Sequence, residues 1–347
     1  MKLTRRSVLA AGGAATAMLA TPFVASARLP RNLRMVIGST STGGDTYQNS
    51  SIVAEALAAH LGINIRVDPV GTNEAFNATG RDARGTTIML HHDQTYLSHL
   101  YGVPGVSDPF ETFAIGPTVA INPGDCFLAA KASALTSMAD ILAAAAAGER
   151  VRVAIQPGGV SEIGFTGMRN AARILNPGSE ANIVPVNTGS QADKNQAMWD
   201  GLADVINGSI QANEQFTQLP EDDRTAMRFV WITARPETLA QAPEAGYGAS
   251  SRAQLMAYAS PATSVTLDGT RDFAFDKEFF LLYNRQMDQG LADEIDAALA
   301  AVYAAGQIQQ TQTRQFFIPN YLPQAEASAH LLAKRDTMAG IITQLQG

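Results

Sequence analysis

The chain has 347 residues, 46% of them hydrophobic and 16% charged. That supplies apolar material for one large or two ordinary domains and excludes disordered, collagenous and low-complexity classes. Twenty-five basic against 32 acidic side chains leave a formal charge of −7 with no block of like charges, so no nucleic-acid or anionic-membrane surface is expected. The single cysteine, Cys126, excludes an intramolecular disulfide, an all-cysteine zinc site and a cysteine-held iron–sulfur cluster.

Met1–Ala27 reads as a signal peptide. Lys2, Arg5 and Arg6 precede the small apolar stretch Ser7–Leu19, and Ala25-Ser26-Ala27 offers a small-x-small cleavage site. Thr4-Arg5-Arg6-Ser7-Val8-Leu9 matches a twin-arginine export motif. No cysteine stands at the cleavage point, so a soluble periplasmic protein without a lipid anchor is expected.

Beyond the leader, short apolar runs alternate with longer segments of helical period. Leu33–Gly38 reads as a strand running into the turn Ser39-Thr40-Ser41-Thr42-Gly43-Gly44, followed by a helix over Thr46–Leu61. Ile63–Val67 and Thr87–Leu90 are strands around a weak helix at Glu74–Ala83; Thr95–Tyr101 is a helical turn. Strands follow at Phe113–Val119 and Asp125–Ala130, then an alanine-rich helix at Ser137–Ala147. The pattern then repeats: strand Val151–Ile155, turn Gln156–Ser161, helix Glu162–Leu175, strand Asn182–Pro185, loop Asn187–Gln191 and helix Ala192–Gly201. Strands at Asp204–Asn207 and Arg228–Thr233 close that half, and helices at Leu291–Ala305 and Ala325–Gln344 end the chain. Two such blocks, roughly 33–120 and 150–235, predict an α/β fold of two domains with mostly parallel sheets and a cleft between them.

In open α/β sheets, ligands collect beyond the carboxyl ends of the strands. Two loops there are rich in glycine and hydroxyls and lead into helix starts, where free N–H groups and the helix dipole favour a carboxylate or phosphate. The candidates are Ser39, Thr40, Thr42, Gly43, Gly44 and Asp45 in the first block, and Gly158, Gly159, Val160 and Ser161 in the second. His92, Asp93, Gln94 and the loop Asn187, Thr188, Gly189 and Ser190 are further candidates. The bland reading of either loop is a tight turn with ordinary caps, and Asp45 and Glu162 read as solvated caps. No Gly-Lys-Ser/Thr phosphate loop, Gly-x-Ser-x-Gly elbow or helical His pair occurs, so neither cofactor, metal nor catalytic residue is assigned. Tyr47, Phe76 or Tyr96 could stack on an aromatic acid.

At these loops the sequence resembles the periplasmic receptors of tripartite tricarboxylate transporters, the Bug family. The resemblance rests on Met35–Gly38 with Gly43-Gly44, on Leu61-Gly62 before Ile63–Val67, and on Ala83-Arg84-Gly85-Thr86-Thr87-Ile88-Met89-Leu90 with Leu100-Tyr101. In the second block it rests on Gly158-Gly159-Val160-Ser161, Val184–Ser190, Trp199–Val205 and Glu244-Ala245-Gly246-Tyr247. The chain departs from the family in its proline-free first loop. Tyr47 also stands where the family has an acid, Asp45 follows Gly44 directly, and 249–277 has no counterpart. The resemblance implies a type II-like Venus-flytrap fold, with lobe 1 formed by 28–124 plus 238–347 and lobe 2 by 125–237. It also implies a monomeric, non-enzymatic receptor that holds a small organic acid through loop amides, hydroxyls and waters. The partners would be integral-membrane transporter subunits. The competing readings are a secreted hydrolase using His92 and Asp93, and a ligand-sensing domain for a membrane signalling partner.

Overall fold

The computed structural model describes residues 29–346; the signal-peptide reading falls on 1–27, outside them. In chain order the first lobe opens with β1 (Asn32–Ile37), α1 (Asp45–Leu61), β2 (Asn64–Pro69), α2 (Thr72–Arg81), β3 (Thr87–His92), α3 (Gln94–Leu100), α4 (Pro109–Thr112) and β4 (Phe113–Asn122). The second holds β5 (Cys126–Ala130), α5 (Met138–Ala146), β6 (Val151–Ile155), α6 (Val160–Leu175), β7 (Ile183–Asn187), α7 (Gln191–Trp199), β8 (Val205–Gly208), α8 (Ile210–Thr217) and β9 (Met227–Ile232). Short helices α9 (Pro236–Leu239) and α10 (Arg252–Met256) follow. The chain returns through β10 (Lys277–Asn284), α11 (Gln289–Ala305), α12 (Gln307–Arg314), β11 (Ile318–Leu322) and α13 (Gln324–Gln346).

Two sheets result. The six-stranded sheet has the order β11-β4-β10-β3-β1-β2 and the five-stranded sheet β7-β6-β8-β5-β9. Neither is mostly parallel, which corrects the expectation from the strand–helix alternation. β1 pairs parallel with β2 and β3, and β6 with β7 and β8. β10 runs antiparallel between β3 and β4, β11 antiparallel to β4, and β5 antiparallel to both β8 and β9. The physical reason is the double crossing between sheets. β5 and β10 are each the first strand after a crossing, so no crossover helix dictates their direction.

Local chemistry accounts for the element boundaries. Gly62 ends α1 in the left-handed region, φ 67°, with its N–H on the Ala58 carbonyl. Ser137 opens α5 and Ser190 opens α7, each accepting from the amide three residues on. Val53, Leu57, Leu61 and Ile295 pack with Met35, Ile88 and Phe279 on one face of the six-stranded sheet. The five-stranded sheet is covered by Met168, Ile141 and Phe127 on one face and by Ile206, Leu239, Tyr247 and Leu255 on the other. Residues 238–276, grouped with the first lobe in the sequence reading, therefore supply their apolar side chains to the cores on the second sheet: Leu239, Tyr247, Leu255, Val265, Phe273 and Phe275. No helix of the described residues is long and apolar enough to cross a membrane.

Candidate functional site

The first loop leaves β1 at its carboxyl end and enters α1. Gly38 lies against the His91 imidazole so closely that a Cβ would overlap the ring. Thr72 Oγ1 donates to the Gly38 carbonyl (3.0 Å) and the Gly71 amide to the Ser39 carbonyl (3.3 Å), which tie the turn to α2. The loop uses two of its own amides: Ser41 N–H donates to Ser39 Oγ (3.0 Å) and Gly43 N–H to Ser41 Oγ (3.2 Å). Thr40, Thr42 and Gly43 are exposed, and Gly44 caps α1 with no side-chain hydrogen bond.

Asp45 is no solvated cap. Its side chain is 13% exposed and its carboxylate forms an ion pair with Lys277, accepts from Asn122 Nδ2 (2.7 Å) and accepts from the Thr46 amide (2.8 Å). Burial pushes this carboxyl up, but the Lys277 charge and the hydrogen bonds outweigh it and hold the group below the ordinary carboxylate range. Lys277, equally buried, is held above its ordinary value because Asp45 and Asp125 outweigh its burial.

The three residues at the end of β3 divide. His91 is buried, and neither ring nitrogen has a partner among the described residues. Burial, then Lys277, lower its pKa to about 3, so the ring is neutral. His92 accepts from the Gln94 amide on Nδ1 (3.3 Å) and meets Phe279 edge-on. Asp93 turns away into the interior. Its oxygens take Lys334 Nζ (2.7 Å), the Tyr96 hydroxyl and the Glu278 amide (2.5 Å), which leaves it saturated. Tyr96 is thus core, and Phe76 stacks on Phe113.

The second loop meets the first lobe directly. Gly158, at φ 76°, donates its N–H to Glu162 Oε2 (2.5 Å) and accepts from Ser98 Oγ (2.6 Å). A Cβ here would collide with Val103, and one on Gly159 would press on Gln94 at 3.1 Å. The Gly158 amide is therefore already spoken for, and the amides of Val160 and Ser161 are the ones that open α6. Ser161 Oγ donates to Asn207 Oδ1 (2.7 Å). The 187–190 loop contributes anchorage: Asn187 and Gly189 are exposed, Thr188 N–H and Oγ1 both donate to the Ile155 carbonyl (2.9 Å each), and Ser190 caps α7.

α7 carries a residue that the sequence reading missed. Lys194 is buried, and its ammonium donates to Asn207 Oδ1 (2.8 Å) and Ser161 Oγ (3.2 Å). Asn207 Nδ2 in turn donates to Asp125 (3.3 Å). Burial lowers the Lys194 pKa to about 8, with Asp125 opposing, Lys277 reinforcing and Asp45 also felt. Gln211 closes the centre from α8: it accepts from Asn122 Nδ2 (2.9 Å) and donates to Gln48 Oε1 (2.9 Å). The two glycine loops thus flank one polar centre made of Asp45, Lys277, Asn122, Asp125, Asn207, Ser161 and Lys194. Two cavities lie elsewhere, about 570 Å³ beside β4 and α13 and about 380 Å³ between α13 and 267–276; neither is lined by a glycine loop.

Two mixed α/β lobes, joined by crossing segments and with loops of both facing one polar centre, have the architecture of a periplasmic solute-binding protein. Solved structures of the Bug type share this fold. The periplasmic binding protein BugD superposes with a TM-score of 0.67 at 15% identity, covering 92% of this chain and 99% of its own. An R. palustris protein solved with adipate gives 0.71 at 14% identity over 91% and 98%. MatC from Rhodopseudomonas palustris, solved with bound malate, gives 0.62 at 15% identity over 92% and 98%. No family model matches the chain, and no curated protein matches it in sequence.

Proposed function

We propose that this protein is a periplasmic receptor that captures a small organic carboxylate between its lobes and hands it to integral-membrane subunits of a tripartite tricarboxylate-type transporter. What supports this reading is that Asp45, directly after one glycine loop, and Ser161, in the other, bring one residue from each lobe to a buried polar centre. Ser39, Thr40, Thr42, Gly43 and Gly44 form one wall, and Val160 and Ser161 the other. Residues 29–124 with 277–346 make the first lobe and 125–276 the second, following the division of the strands between the two sheets. Ser161, the hydroxyl beside Lys194, gives its proton to Asn207 Oδ1 and accepts from the ammonium, which supports binding of the ligand without chemistry on it. The fold shared with proteins solved with adipate and malate supports a dicarboxylate as the ligand class. The leader Met1–Ala27 accounts for export to the periplasm.

A thermal-shift series with succinate, malate, glutarate and adipate tests this. Ligand at a hundred times its Kd adds about 2.7 kcal/mol of stability. At least one acid is expected to raise the melting temperature in proportion to the logarithm of its concentration; no shift with any of them contradicts the reading.

A further inference from the structure

Three lysines of the described chain run inward, and their partners differ. Lys334 meets two carboxylates, Asp93 and Glu278, each at 2.7 Å. Lys277 forms an ion pair with Asp45. Lys194 touches only neutral oxygens, those of Asn207 and Ser161, and has no carboxylate within 4.0 Å among the described residues. Asp125, the acid that acts most strongly on it, is joined to it through Asn207, whose amide bridges the two.

A buried ammonium without a touching counter-ion is costly, and replacing it by an apolar side chain is commonly neutral or stabilising. Its two neutral partners fix its direction without discharging it. Beside it, Ser161 and Val160 open the 16-residue helix α6, so the helix's positive end and the lysine favour the same kind of guest.

We propose that Lys194 is the cation of the second lobe that pairs directly with a carboxylate of the guest, so that the site selects an ionised acid by charge and not by amides and hydroxyls alone. This rests on the receptor reading above. A consequence is proton linkage. The groups facing Lys194 are Asp125, Cys126, Lys277 and Asp45, together with the neutral Ser161 and Asn207; of these, burial pushes Asp125 and Cys126 up, while Asp45 and Lys277 stay charged. With the free lysine at about 8, affinity is level below that pH and falls above it by about tenfold per pH unit until the bound-state pKa is passed.

Calorimetric titration of the full chain with succinate, malate, glutarate and adipate at pH 7 and pH 9 tests this, on wild type and Lys194→Met. Loss of one charge-assisted contact predicts roughly ten- to hundredfold weaker binding by Lys194→Met. The unliganded variant is expected to melt at or above the wild-type temperature. As a measurement independent of the variant, the Lys194 Cε resonance of wild type should titrate at higher pH when ligand is saturating. Wild-type binding of none of the acids overturns the receptor reading and this proposal with it. Wild-type binding with affinity within threefold in Lys194→Met, a Cε titration unmoved by ligand, or a lower melting temperature of the unliganded variant overturns this proposal alone.

Discussion

Two groups of inward ionisable side chains meet at one end of the strand pair β3 and β10, where His91 and Asp93 lie beside Lys277 and Glu278, and they are built differently. Under α13, Asp93, Glu278, Lys334 and His330 form a closed set: Lys334 bridges both acids, His330 Nε2 reaches both oxygens of Glu278 (2.9 and 3.0 Å), and Lys334 also donates to the Asp276 carbonyl (2.8 Å). Under the first glycine loop His91 has two bare ring nitrogens, and in the polar centre Lys194 has neutral partners only. The same residue types are saturated in one place and left with capacity in the other. Saturation marks a structural brace; spare capacity, beside loops that glycine keeps thin, marks a place for a guest.

The contrast breaks first at Lys334. Lys334→Met strands Asp93 and Glu278 in the interior, and removing one partner of a buried set costs about 3–5 kcal/mol; urea denaturation should show a loss of that size, where Lys194→Met shows none. Gly124 comes next. It sits at φ 69° between Asn122 and Asp125, and a Cβ there would strike the Ala234 backbone. Gly124→Ala should cost about 1–3 kcal/mol in the same assay and weaken ligand binding, because it shifts both neighbours in the open centre.

A smaller effect is set by pH. The Glu278 hydrogen bond raises the His330 pKa above its ordinary 6.5, against the burial of a half-exposed ring. The sign follows: this contribution is complete below 6.5 and is lost as pH rises through the raised folded value. Solvent screening keeps it under about 1 kcal/mol. Melting curves of wild type and His330→Gln should therefore differ on the acid side and converge on the alkaline side. Glu278 itself is pushed up by burial, but Lys334 and His330 bring it down to about 2, so its contribution is present above 4.5 and disappears as pH falls toward 2. The smallest effect belongs to the exposed loop: Thr42→Ala should change stability by no more than about 0.5 kcal/mol while lowering ligand affinity, which the thermal-shift series reads.

Much of the succession of elements could be read along the chain, because helix caps, glycine turns and apolar period are local. β6 has the bounds expected, Val151–Ile155, and α1 begins one residue before its expected start. β10 was missed. Phe279–Tyr283 is an unbroken apolar run, and all eight residues of the strand are buried, so no alternation announces it. The omission mattered for the site, since β10 supplies Lys277 and Glu278, the partners of Asp45 and of Lys334 and His330. Lys194 was invisible for a related reason: α7 has polar residues on most of its surface, and nothing local distinguishes an inward lysine from a solvated one.

Short-range chemistry in the chain settled where strands stop and glycine-rich turns enter helices, since caps and backbone freedom depend on neighbours a few residues away. Packing alone settled the direction of β5 and β10, the attachment of 238–276 to the second sheet, and which buried charges found a counter-ion. Those outcomes depend on contacts between segments far apart in sequence, such as Asp45 with Lys277 and Lys194 with Asn207, and charge burial has no signature in a single stretch of chain.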